Sequence, residues 1–156
     1  MKNMSEKLTV AIDPGKSGGI VYGQPEWCEG VKMPETLGDL VELFNGLHQE
    51  HSEIVAYLEK VGGFAGTGQP GSAMFKFGQG YGQIQGIIAT LGWPLNLVTP
   101  QRWIKSQHLG TKGDMTTTEW KNKLKGQAQM LYPQHKITLK TADAFLIFHS
   151  AVNGNL

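Results

Sequence analysis

Continuous apolar runs and helix-period stripes alternate along this chain, and their order leaves few folds open. Residues 7–13 (KLTVAID) form an apolar run that stops at Asp13-Pro14-Gly15, a turn signal. Two further strand-like stretches, 18–24 and 27–33, follow after short gaps, as in a β-meander. Between Thr36 and His51 the period changes: Leu37, Leu40, Val41, Phe44 and Leu47 recur at helical spacing. Residues 54–61 (IVAYLEKV) return to strand character. Residues 62–71 hold five glycines and a proline, which excludes a helix or strand interior and predicts a loop. Met74, Phe77, Tyr81, Ile84, Ile88 and Leu91 then predict a helix over 73–91, ended by Gly92. A short strand at 94–98 precedes a short helix, with Thr99 as N-cap and Pro100 in the first turn. Helices are expected over 116–131 and 139–153. A meander followed by strand–helix alternation predicts an α/β fold, a mixed five-stranded sheet with helices on its faces. No fixed-period repeat or interdomain linker interrupts residues 1–156, so one domain is expected.

Composition narrows the function classes. No apolar run reaches the ~18 residues of a membrane span, and the first residues carry no long apolar segment of a signal peptide. A single cysteine, Cys28, rules out an intrachain disulfide framework and a Cys-rich zinc site. It points to a reducing compartment, the cytoplasm or nucleoid, with Cys28 in a packing role. The net charge of +1 hides an asymmetry: residues 1–70 carry −5 and residues 71–156 carry +6. An acidic region able to hold metal and a basic face for a polyanion are both compatible with that split.

Three carboxylates stand in unusual places. Asp13 closes the first strand, Glu59 lies near the end of an apolar strand, and Asp143 falls in the first turns of the last helix. Acids in such settings are costly unless paired, hydrogen-bonded or bound to metal. Each also has a simpler role: bracing a turn, sitting at a solvated strand end, or complementing a helix dipole. If the three converge at one sheet edge, an all-oxygen set of this kind suits Mg²⁺ or Mn²⁺. Lys16-Ser17 after Gly15 does not complete a phosphate-binding P-loop, because position 10 is Val. His48 and His51 match no metal-binding pattern and are expected at the surface.

Four segments, taken in order, carry a resemblance. They are Ala11-Ile12-Asp13-Pro14-Gly15; Tyr57-Leu58-Glu59-Lys60-Val61 with the later Phe77-Gly78-Gln79-Gly80-Tyr81-Gly82; Val98-Thr99-Pro100 with Trp103-Ile104-Lys105; and Lys140-Thr141-Ala142-Asp143-Ala144. Together, over residues 8–152, they resemble the RuvC family of Holliday-junction resolvases, and the small, Gly-rich form is more similar to phage or viral members. The resemblance implies a ribonuclease-H-like fold and a divalent-metal nuclease, with Asp13, Glu59 and Asp143 as catalytic metal ligands for two Mg²⁺ (or Mn²⁺) ions. It implies paired symmetric nicks in four-way DNA junctions that leave 5′-phosphate and 3′-hydroxyl ends. The chain departs from the family at Lys140, where an acid usually stands. That departure keeps open a non-catalytic branched-DNA-binding module of the same fold; a related ribonuclease-H-like nuclease acting on RNA is a separate alternative, decided by substrate preference.

DNA contacts are expected from the basic second half: Lys76, Arg102, Lys105, Lys112, Lys121, Lys123, Lys125 and Lys140. Phe64, an aromatic among glycines, is a candidate wedge against unstacked bases. The near two-fold symmetry of a junction, with one active site per chain, predicts a homodimer. No small-molecule cofactor and no membrane association are expected.

Overall fold

The computed structural model describes residues 7–62 and 71–156. Five strands and five helices follow the expected order: β1 (Leu8–Asp13), β2 (Gly19–Gln24), β3 (Trp27–Lys32), α1 (Leu37–Glu50), β4 (Ile54–Glu59), α2 (Gly71–Leu91), β5 (Leu95–Val98), α3 (Pro100–Ser106), α4 (Thr117–Leu131) and α5 (Ala142–Val152). The sheet runs β3-β2-β1-β4-β5. β1, β2 and β3 pair antiparallel, whereas β4 and β5 add parallel to β1. This is the mixed five-stranded α/β sheet that the run order predicts.

Strand alternation divides the core in two. Leu8, Val10 and Ile12 of β1, with Ile54, Ala56 and Leu58 of β4, pack under α1 and α2 through Leu40, Phe44, Ile84 and Ile88. Ala11 of β1 and Tyr57 of β4 face the other way, toward α3, α4 and α5. Helices therefore cover both faces of the sheet. α5 is the most deeply buried helix, with Phe145, Leu146, Ile147 and Phe148 each at most 2% exposed. It lies so close to the sheet that a Cβ at Gly30 would come within 2.6 Å of the Phe145 ring, so β3 admits only glycine there without repacking.

Local chemistry fixes the helix ends. Thr36 and Thr99 cap α1 and α3 by accepting from Asp39 N and Arg102 N. Thr116 and Glu119 form a reciprocal capping box at the start of α4. Gly92, at φ +73°, ends α2 in the left-handed conformation.

α2 departs from its sequence pattern. It starts at Gly71, two residues before the expected start at 73, and only Ile84 and Ile88 are fully buried. Met74, Phe77 and Tyr81 are half-buried, and Phe75 is 72% exposed. The first half of the helix extends past the sheet that covers its second half. Gly78, Gly80, Gly82 and Gly86 lie inside the helix with open space where a Cβ would stand. Each costs about 0.5–1 kcal/mol relative to alanine. The double substitution Gly82→Ala and Gly86→Ala is therefore expected to stabilise the monomer by about 1–2 kcal/mol, read as a higher denaturant midpoint with an unchanged slope.

Candidate functional site

Asp13 and Glu59 end adjacent parallel strands. Ile12 lies opposite Leu58 in the register, so the two acids leave β1 and β4 side by side. They share the parity of Ala11 and Tyr57, which places both on the face covered by α5. Asp143 is in the first turn of α5. Strand register and helix packing thus bring together three acids separated by 46 and 84 residues in the sequence.

Their surroundings displace all three carboxyls upward. Burial pushes the Asp13 carboxyl up to about 9; the charges of Asp143 and Glu59 add to the rise, and the ammonium of Lys121 opposes it. Burial raises Glu59 to about 7, against a hydrogen bond from Trp103 and with help from the Asp143 charge. Burial raises Asp143 to about 6, again opposed by Lys121. Burial is the leading cause for all three, and mutual repulsion adds to it for Asp13 and Glu59. The site stores unfavourable free energy that a cation would relieve.

In the conformation seen, no trio of His, Cys, Asp or Glu among the described residues is gathered tightly enough to ligate one ion. The donor set nevertheless fits a hard divalent cation in its chemistry: three carboxylates, half-buried, with the Lys121 charge acting on only two of them. Asp13, Glu59 and Asp143 are the residues that would hold it.

Sequence reasoning missed Trp103 as part of this site. Its indole Nε1 donates to Glu59 Oε2 at 2.7 Å, and the ring is 2% exposed. α3 is anchored for this purpose from both ends. Thr99 caps it, and at its C-terminal end Gln107 Nε2 donates to Ser150 Oγ at 2.8 Å and to the Leu146 carbonyl at 3.3 Å on α5. The bond favours the ionised form of Glu59. Trp103→Phe is therefore expected to raise the Glu59 pKa further. In a cleavage assay the acid limb of the pH–rate profile would move to higher pH, at a stability cost of about 1–2 kcal/mol. An unshifted limb with the same loss of stability would leave Trp103 a packing residue only.

The basic candidates separate into groups. Lys121, on α4, is the one whose charge acts on both Asp13 and Asp143. Lys123 is committed elsewhere, donating to the Leu109 carbonyl at 3.0 Å and lying over the Trp120 ring. Arg102 and Lys105 are exposed on α3, Lys112 is exposed ahead of α4, and Lys125 is half-buried on α4. Lys76 and Lys140 line a different surface, a cavity between the β1–β2 turn, α1 and α2. Phe64 lies outside the described residues.

Two smaller expectations are refined. Cys28 is buried, as a packing residue should be, but it has a neighbour 107 residues away: His135 Nε2 lies 3.8 Å from its sulfur. Burial and, after it, the Glu29 charge push the thiol up to about 11, which favours its neutral form. His48 is at the surface as expected, yet its Nδ1 accepts from Trp93 Nε1 at 3.1 Å and joins α1 to the segment after α2. Among the described residues no helix is long and apolar enough to cross a membrane.

No protein-family model matches the chain, and no curated protein sequence does. Solved structures similar in fold include two of RuvC. One is Thermus thermophilus RuvC, with a TM-score of 0.59 and 17% identity over 95% of this chain and 97% of that one. The other is T. thermophilus RuvC in complex with Holliday junction substrate, with a TM-score of 0.60 and 13% identity over 96% and 98%. At such identities the likeness establishes a shared mixed α/β fold and no more.

Proposed function

We propose that this chain is a divalent-metal-dependent endonuclease that resolves four-way DNA junctions by paired symmetric nicks, acting as a homodimer with one carboxylate centre per subunit. The observation that carries the reading is the meeting of Asp13, Glu59 and Asp143 where β1, β4 and the first turn of α5 converge. The ordered sequence resemblance and the fold likeness to RuvC support it. We take residues 1–156 as a single nuclease domain.

When bound, Mg²⁺ or Mn²⁺ would lower the pKa of a water and neutralise charge developing on the scissile phosphate. The chain's own residues supply the rest. Asp13, at the end of the central strand β1, has the greatest need of a counter-charge and would be a principal ligand. Trp103 holds one oxygen of Glu59 by a hydrogen bond. Lys121 balances the carboxylates and brings a cation to the phosphate side of the site. Arg102 and Lys105 extend positive charge along α3 for the DNA backbone.

A second reading, a branched-DNA-binding module that does not cut, draws support from Lys140, where the sequence resemblance implies an acid. A third, a nuclease of the same fold acting on RNA, has no observation in its favour beyond the fold. One experiment separates them: a labelled four-way junction, a matched linear duplex and an RNA duplex, each incubated with Mg²⁺, Mn²⁺ or EDTA. The resolvase reading expects cutting of the junction alone and none in EDTA. Tight junction binding without cutting in either metal would favour the module. Cutting of RNA in preference would favour the third reading.

A further inference from the structure

Two contiguous cavities lie at the β3 side of the sheet end, outside the carboxylate centre. The larger, of about 1120 Å³, is bordered by Lys16, Lys32, Lys76 and Lys140 over a floor that includes Phe77. The smaller, of about 540 Å³, is bordered by Lys32, Lys136 and Lys140. Lys32 and Lys140 border both, so the two openings adjoin at these side chains, and together they make a basic channel. Five lysines line it against a single acid, Glu35. Glu35 pairs with Lys32 at 3.5 Å, but both side chains are more than half exposed, and such a pair neutralises little.

The channel starts beside the carboxylates. Asp13 is in register with Gly19, and Gly19 with Lys32, so the three lie in one row across the sheet. At about 4.8 Å between strands, the Lys32 backbone is roughly 10 Å from that of Asp13. The Lys140 carbonyl packs so tightly on Gly19 that a Cβ there would come within 2.7 Å of it. Outside the channel lining stand Arg102 and Lys105 on α3, the helix whose Trp103 bonds Glu59, and Lys121 on α4, whose charge acts on Asp13 and Asp143. The acidic centre thus has two separate sets of basic groups near it.

We propose that this channel is a second path for nucleic acid, holding the sugar–phosphate backbone of a further arm of a branched substrate through Lys16, Lys32, Lys136 and Lys140. The proposal rests on the nucleic-acid reading above and adds a surface and a set of residues to it. Flexible lysines spaced along an open channel suit a repeating phosphate chain better than a single small anion, which would need an enclosed, convergent site. An apolar floor with an aromatic ring beneath a basic rim also suits nucleotides near a branch point. The arrangement gives Lys140 work as a phosphate contact in place of an acid. It also predicts selectivity, because a linear duplex lying along α3 and α4 has no second arm to place here.

The test is salt-dependent binding in EDTA, which prevents cutting, with a fluorescent four-way junction and a matched linear duplex. The variants are Lys32→Gln with Lys136→Gln, and, outside the channel, Arg102→Gln with Lys105→Gln. All four residues are exposed, so each double variant should keep the wild-type melting temperature. For the Lys32/Lys136 variant, junction affinity at moderate salt is expected to fall about tenfold or more. The slope of log K against log salt is expected to become shallower by about 1.8, for two lost phosphate contacts. Linear-duplex binding is expected to change little. An unchanged junction slope and affinity, beside a clear loss in the Arg102/Lys105 variant, would overturn the second path and leave the nuclease reading standing. An equal loss on junction and linear duplex would also overturn it. Absence of nucleic-acid binding by the wild-type protein at any salt would overturn both.

Discussion

Asp13→Asn is expected to end nicking while making the ion-free protein more stable. The loss of rate should be on the order of a thousandfold or greater, equivalent to ~4 kcal/mol of transition-state stabilisation. The gain in stability follows from the same carboxylate. Burial and two neighbouring acids raise Asp13 to about 9, so the folded chain keeps a proton that the unfolded chain releases above the ordinary carboxylate range. Where the folded state binds more protons, stability falls as pH rises. For Asp13 that window runs from about pH 4 to about pH 9; Glu59 and Asp143 add to the fall up to about 7 and 6. Asparagine has the shape without the proton. At pH 8 the variant should be more stable by about 1–3 kcal/mol, which is roughly 3–10 °C for a chain of this length. At pH 5 the gap should nearly close. A variant less stable than wild type at pH 8 would mean that Asp13 is a structural brace of the Pro14-Gly15 turn.

Divalent cations should have the opposite effect on the wild type. An ion that binds the folded state and not the unfolded one stabilises by about 2.7 kcal/mol at a hundred times its dissociation constant. Mg²⁺ or Mn²⁺ at pH 8 is therefore expected to raise the melting temperature of the wild-type protein by roughly 5–10 °C. At pH 5.5 protons on Asp13, Glu59 and Asp143 compete, and the shift should shrink to a small fraction of that. Asp13→Asn should abolish the shift at both pH values. Removal of the ion with EDTA should restore the original melting curve. An equal shift in wild type and variant would place the cation elsewhere on the protein.

The sheet was readable because its strands are short, apolar and bounded by turns, and its first two helices carry clean stripes on Leu40, Phe44, Ile84 and Ile88. The acids were readable as oddities, since charge at the end of an apolar run has few explanations. Their convergence was not. It depends on Ile12 meeting Leu58 in parallel register, and on α5 crossing the β1 side of the sheet, neither of which any local pattern encodes. Trp103 illustrates the same limit. Its partner Glu59 is 44 residues away, and an indole N–H leaves no periodic trace. The exposed first half of α2 was hidden for a different reason. Periodicity records which residues share a face, not whether the sheet is long enough to cover it.

The central claim is that Asp13, Glu59 and Asp143 act as one hydrolytic centre. It is tested most directly by single-turnover cleavage of an end-labelled four-way junction in Mg²⁺, using Asp13→Asn, Glu59→Gln, Asp143→Asn and the pairwise double variants. Groups that act as a unit are strongly non-additive. The account predicts that each single variant loses nearly all activity and that the doubles lose little more, with wild-type nicks at symmetric positions in opposing strands. Near wild-type cleavage by any one of the three single variants would contradict it.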